Sequence, residues 1–261
     1  MDVGKIISNS FKYPFRNIAK LPILFILFIL MAIVPIGMAM DNNYVVLFGV
    51  IGFFAFILIV PGYLLSIVRI GSVESSIMPS FNLVNNIYDS IRVLCLRMVY
   101  MIVPAVMFFA VFRILGPTSV DLIRNFQIHT FIATLGLMIL LIVFTYLLFE
   151  FLLFFAKARL AYFNSLSEAL KINKVISDIR NIGIFNIIKW VILMIILIGV
   201  ISVVTSVVLS IPYVGFLIYI GIVIPVVESI GNYSLGLVYS NIAENNDDDL
   251  KRLEREIEFL K

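Results

Sequence analysis

Six apolar stretches, at about 21–40, 44–68, 94–115, 130–156, 187–209 and 215–239, dominate the chain, with short polar segments between them. Each is near or above the roughly 20 residues that carry an α-helix across a hydrocarbon core of about 30 Å. Inside them apolar residues run continuously and do not alternate, which excludes the strands of a membrane barrel. Lipid offers backbone groups no partner, so such a run must satisfy its own hydrogen bonds as a helix. The pattern predicts an all-α integral membrane protein with six transmembrane helices. Asp41-Asn42-Asn43 and Ile211-Pro212-Tyr213 are read as tight turns, and Gly116-Pro117 as the stop of the third span, opening a loop over 116–129.

Three shorter segments carry a different pattern. In 2–18, Val3, Ile7, Phe11, Phe15 and Ile18 recur at helical spacing while Lys5, Ser8, Asn9, Lys12 and Arg16 face away. From about residue 83, Val84, Ile87, Tyr88, Ile91 and Leu94 share one face, and Asn85, Asn86, Asp89 and Arg92 the other. In 165–181, Ala169, Ile172, Ile176 and Ile179 oppose Lys171, Lys174, Asp178 and Asn181, and Ser165 with Glu168 reads as a capping box. Such segments suit a membrane surface. They begin about 80 residues apart, each ahead of two spans. The expected architecture is three hairpins in a pseudo-three-fold repeat, each led by a cytoplasmic amphipathic helix. The membrane domain is 1–243, with a charged cytoplasmic tail at 244–261.

Composition agrees: 62% of residues are hydrophobic and 13% charged, against about 45–50% and 25% in soluble proteins. The net charge of +3 matters less than where the cations fall. Of nineteen Lys and Arg, only Arg113 and Arg124 lie on one side of the predicted spans. The positive-inside rule then puts both termini in the cytoplasm, as an even number of spans requires. Lys189-Trp190 reads as an interfacial anchor pair. Cys95 is alone, so no internal disulfide or cysteine metal cluster is possible, and it is expected to be a small buried hydrophobe. Lys5, Lys12, Arg16 and Lys20 precede a long first run, expected to be a retained helix and not a cleaved leader.

Ionisable groups inside a span are costly, and candidates for function. Glu150 and Glu228 sit in the fourth and sixth spans, each the second helix of its hairpin. Tyr146, four residues before Glu150, and Lys157, seven after, share its helix face. Asn232 lies four after Glu228, and Ser229, Tyr233, Gly236 and Ser240 continue a polar, small-residue stripe. Ser66 and Arg69 extend one from Pro61-Gly62 in the second span. The expectation is a cytoplasm-facing polar pocket of Glu150, Glu228, Asn232, Tyr146, Lys157 and Arg69. The alternative is that the carboxylates pair with Lys157, Arg69 or Arg97 to lock the bundle. No catalytic residue, cofactor or metal site is expected: His129 has no HExxH setting, and no glycine-rich phosphate loop is present.

Gly4-Lys5-Ile6, Phe11-Lys12-Tyr13-Pro14-Phe15, Pro61-Gly62-Tyr63-Leu64-Leu65 and Pro79-Ser80-Phe81 together resemble the archaeal membrane family known as domain of unknown function 4013, common in methanogens. The likeness spans about 2–240 and is clearest early in the chain. The family's Glu-rich loop before the proline is represented here by Glu74 alone. The resemblance implies an archaeal plasma-membrane setting and supplies no mechanism. The expected role is a non-catalytic membrane component, a scaffold or accessory subunit. The alternative is a small-molecule or lipid carrier using the Glu150 and Glu228 pocket. Expected partners are the lipid bilayer and other membrane proteins or copies of the chain, not nucleic acid.

Overall fold

The computed structural model describes residues 2–124, 128–211 and 214–243; the predicted Pro212-Tyr213 turn and the tail at 244–261 lie outside them. Among the described residues there is no strand. The helices are α1 Val3–Arg16, α2 Leu21–Ala39, α3 Asn43–Ser72, α4 Leu83–Arg124, α5 Ile128–Phe163, α6 Leu166–Ala169, α7 Ile172–Ile182, α8 Ile184–Ser206, α9 Val214–Ile218 and α10 Ile224–Ala243. A 3₁₀ turn at Val207–Ser210 extends α8, and a π turn at Tyr219–Val223 joins α9 to α10. Six helices are long and apolar enough to cross a membrane. Asp41, at φ 49°, turns the chain between α2 and α3, and Asn42 caps α3 by accepting from the Tyr44 and Val45 amides.

The prolines inside α3 and α4 do not end those helices. The segment from residue 83 and the third span are one helix, and α4 passes through Gly116-Pro117 to Arg124, where a stop was expected. In lipid a broken helix would strand several backbone groups, whereas a proline forfeits one bond. Likewise α3 continues through Pro61-Gly62. Before Pro225 the ladder widens: the Ile224 N–H donates to the Tyr219 carbonyl, five residues back.

The predicted helix at 165–181 is divided. Ser165 makes no side-chain cap bond, and its Oγ meets Ser167 Oγ at 3.0 Å. Glu168, the other half of the expected capping box, turns instead to Arg159 at 2.9 Å and Lys171 at 2.5 Å. Two ion pairs outcompete one backbone cap, and the chain breaks at Leu170-Lys171 before α7.

The core sits at one end of the bundle. Residues 62–72 of α3 and 232–240 of α10 are buried without exception, and 155–162 of α5 are buried except Lys157. Toward the other end α3, α4, α5 and α8 expose Phe54, Phe109, Leu140 and Val204, as a lipid-facing surface should. Two glycines bring the core together. A Cβ on Gly236 would stand 2.7 Å from Gly71 Cα, and one on Gly71 2.5 Å from the Tyr233 carbonyl, so α3 and α10 cross backbone to backbone. A Cβ on Gly62 would strike the Asn86 carbonyl, so the start of α4 lies equally close on α3.

The start of α4 is turned with its polar side inward. Asn86, Asp89, Ser90 and Arg92 are buried, while Val84, Tyr88 and Ile91 are exposed. α1 exposes Phe11 and Phe15 and packs on α10 through Ile6, Ser10 and Tyr13. The Tyr13 ring stacks on Tyr233 at 3.9 Å, and burial pushes its hydroxyl well above the usual tyrosine range. Cys95, expected inside, is exposed, because it falls on the outward face of α4, where a thiol is as well accommodated by lipid as by a core.

Candidate functional site

α2 packs along α3, and α4 along α5, whereas α8 stands off from the rest of the bundle. Its inner end is held by α1 and α7 and by a 2.6 Å hydrogen bond from Trp190 Nε1 to Ser234 Oγ. Trp190 is therefore buried at 3% exposure and is not the interfacial anchor expected of it; its indole N–H found a hydroxyl in the protein. Behind α8 lies a cavity of about 760 Å³ walled by α2, α3, α4, α5, α8 and α10. Most of its wall is apolar, with Phe28, Phe56, Leu64, Phe151, Met194 and Ile198 among the lining side chains.

One wall carries charge. Glu150 accepts from Arg97 Nη2 at 2.6 Å and from the Tyr146 hydroxyl at 2.8 Å. Further along, Lys157 Nζ donates to Asn232 Oδ1 at 2.5 Å, and Asn232 Nδ2 donates to Glu228 Oε2 at 3.0 Å. Asn232 thus couples the ammonium to the carboxylate. The spacing explains the placement: Tyr146, Glu150 and Lys157 fall about one and two turns apart on one stripe of α5, and Glu228 and Asn232 are one turn apart on α10. Two carboxylates, one guanidinium and one ammonium leave this wall balanced. Neutral, mutually paired charges beside an apolar volume suit a molecule with a hydrocarbon body and a polar or zwitterionic end.

Four of the expected residues, Glu150, Glu228, Asn232 and Lys157, line this cavity. Tyr146 supports Glu150 from behind. Arg69 lies elsewhere. It belongs to a second polar cavity, of about 520 Å³, with Ser66, Asn86, Asp89, Arg92 and Asn164 in its wall. There Arg69 Nη2 donates to Asp89 Oδ2 at 3.2 Å and Arg92 Nη1 donates to Asp89 Oδ1 at 3.0 Å. Arg69 also reaches the Ala161 carbonyl, and both guanidiniums reach Asn164 Oδ1. Asn164 presents that oxygen from a left-handed backbone at φ 49°, at the end of α5.

A third polar cluster holds α7 to α5. Arg159 donates to Asp178 at 2.7 Å and to Glu168 at 2.9 Å, and the Tyr239 hydroxyl donates to the same Asp178 oxygen. Hydrogen bonds from Lys171 and Arg159 hold the Glu168 carboxyl below the usual carboxylate range. The stripe Ser229, Tyr233, Gly236 and Ser240 faces α1 and α3 and not the cavity: Ser240 Oγ donates to Glu74, and Tyr233 stacks on Tyr13. Asp89 and Asp178 were visible in sequence only as members of a polar face. The signal that could have singled them out is an arginine about twenty residues upstream of each, Arg69 and Arg159. Among the described residues no three His, Cys, Asp or Glu side chains converge as a metal site would need.

Residues 45–211 match the family described as protein of unknown function (DUF4013), and the chain belongs to that family. No curated protein and no solved structure matches it.

Proposed function

We propose that this multi-pass membrane protein is non-catalytic and binds an amphiphilic, lipid-like molecule in the cavity behind α8. The single observation that supports this is the join of an apolar volume of about 760 Å³ to the Glu150, Glu228, Lys157 and Asn232 wall. The volume is within the roughly 300–1,000 Å³ of ordinary ligand sites. A hydrocarbon segment fits against Phe28, Phe56 and Met194, and a polar end meets the paired charges. α8, standing off from its neighbours, is the wall such a molecule would pass. The π turn before Pro225 thins the ladder on the opposing helix, a feature of helices that line membrane binding sites.

In this reading the six spans form three hairpins with both termini in the cytoplasm of a cell bounded by the plasma membrane. The start of α4 on α3, α7 on α5, and α1 on α10 then form a cytoplasmic collar, the last contact closing the ring. The scaffold reading needs only the apolar outer flanks, which lipid alone satisfies.

Trp190 tests the proposal, because it is the only tryptophan and lines the cavity. A brominated single-chain amphiphile titrated into the purified protein should quench its fluorescence saturably, and an unbrominated one should reverse the effect by competition. Quenching that rises linearly without saturation would leave the cavity with no ligand role and favour the scaffold.

A further inference from the structure

We infer that the second cavity, between the start of α4 and the inner end of α3, is an anion site that takes a phosphate group. Its charge is unbalanced. Arg69, Arg92 and Asp89 are 5%, 8% and 5% exposed, and one carboxylate faces two guanidiniums. Among the described residues the remaining acceptors, the Ala161 carbonyl and Asn164 Oδ1, are neutral dipoles. A buried net positive charge is costly unless an anion compensates it.

The cluster on α5 and α7 shows what the balanced version looks like. There Arg159 and Lys171 meet two carboxylates, Glu168 and Asp178. The two clusters share an arginine near the inner end of a span and an aspartate twenty or nineteen residues later. Among the described residues the cluster at Arg69 lacks the second acid, and it also has the cavity. Asn86, in that cavity's wall, is 3% exposed, and its Nδ2 finds no acceptor among the described residues. A buried amide donor without an acceptor costs free energy and marks the place for one.

The chemistry of the wall selects phosphate. Guanidinium forks bind the paired oxygens of phosphate bidentately, and amide and hydroxyl donors fill its remaining lone pairs. Asn82 and Asn85 supply such groups around Arg69, Arg92 and Asn86, and among the described residues Asp89 is the one acid in the wall. Beside it, Val84 and Tyr88 are exposed, so the site opens next to a lipid-facing surface. A free phosphate and the phosphate of a lipid headgroup share this chemistry.

The test is a thermal melt of the purified full chain in non-ionic detergent, titrated with inorganic phosphate against chloride at matched ionic strength. A ligand of the native state raises the melting temperature along a saturating curve. Asn86→Asp removes the donor and adds a repelling carboxylate, and is expected to weaken phosphate binding at least about tenfold. Arg92→Lys keeps the charge without the fork and should weaken it less. Lys171→Gln, in the balanced cluster, should leave the phosphate response unchanged. In nanodiscs of phosphatidylcholine, added phosphatidic acid should abolish the response to free phosphate if a headgroup is the natural ligand, and leave it if free phosphate is. A wild-type response to phosphate no greater than to chloride overturns the inference. So does a folded Asn86→Asp protein that responds like wild type.

Discussion

Arg159 and Asp178 stand 2.7 Å apart, both almost fully buried, and Tyr239 donates its hydroxyl to the same carboxylate oxygen. Asp178 is thus the point where α5, α7 and α10 meet. Asp178→Ala would leave a guanidinium short of an acceptor and a buried hydroxyl with none. Breaking a buried pair from one side costs about 3–5 kcal/mol. Reversible unfolding of the detergent-solubilised protein should show a loss of that size. Asp178→Asn, which keeps an acceptor oxygen, should lose less. Equal, negligible losses in both would remove the pair from the account of the core.

The crossing of α3 and α10 depends on the absence of two side chains. Gly236→Val places methyl groups where Gly71 Cα and the Val68 carbonyl already are. Over-packing of this kind costs about 1–3 kcal/mol, and more where backbone must move. Gly136→Ala on α5 is the control, since a Cβ there meets nothing within 4 Å. The first variant should melt well below wild type and the second at or slightly above it.

Glu168 gives the fold a pH dependence with a fixed sign. Lys171 and Arg159 hold its carboxyl below the usual 4.5. The unfolded chain therefore takes up this proton at higher pH than the folded protein does. The contribution is fully present above 4.5 and is lost as pH falls through the depressed folded value. Glu168→Gln should be less stable than wild type at neutral pH, and the gap should close on acidification below 4.5. A gap that widens with acid contradicts the assignment. The carboxylate is partly open to solvent, so the gap is small and shrinks with salt.

Orientation is checked chemically in intact cells. In a Cys95→Ser background, Lys171→Cys should resist a membrane-impermeant maleimide, and His129→Cys should react. Permeabilised cells should label both. Labelling of Lys171→Cys from outside reverses the collar and the positive-inside reading with it.

Much of this was legible in the sequence, for a physical reason: a lipid-spanning helix must be long, continuous and apolar, and all three properties are one-dimensional. The apolar runs at 21–40 and 44–68 form the helices Leu21–Ala39 and Asn43–Ser72, each long and apolar enough to cross a membrane. The i, i+4 and i+7 spacing likewise put Glu150, Lys157, Glu228 and Asn232 around one cavity. What periodicity does not carry is the sign of a face. It separates Asn86, Asp89 and Arg92 from Val84, Tyr88 and Ile91, but in lipid the apolar set is the one left outside. Competition is equally invisible. Ser165 with Glu168 has the capping spacing, yet Arg159, six residues before Ser165, takes the glutamate away. Arg69 joins Glu150 in the sequence reading because it continues the polar stripe of Pro61-Gly62 and Ser66; its partner Asp89 sits on a neighbouring helix whose inward turn only the tertiary packing reveals.

Gly231 offers the most direct way to separate the cavity from the fold. It lines the cavity between Glu228 and Asn232, and a Cβ built on it meets no atom within 4 Å. A leucine there would project into empty volume without moving backbone. Replacing a mid-helix glycine removes a penalty of about 0.8–1 kcal/mol, and the new side chain gains contacts with the apolar wall. Gly231→Leu should therefore melt at or above the wild-type temperature while it weakens quenching of Trp190 by a brominated amphiphile. Stability up and occupancy down is a combination that general damage does not produce. A Gly231→Leu protein that is stable and binds the amphiphile as wild type does would place the ligand outside the cavity, and the case for Glu228 and Lys157 as its polar end would go with it.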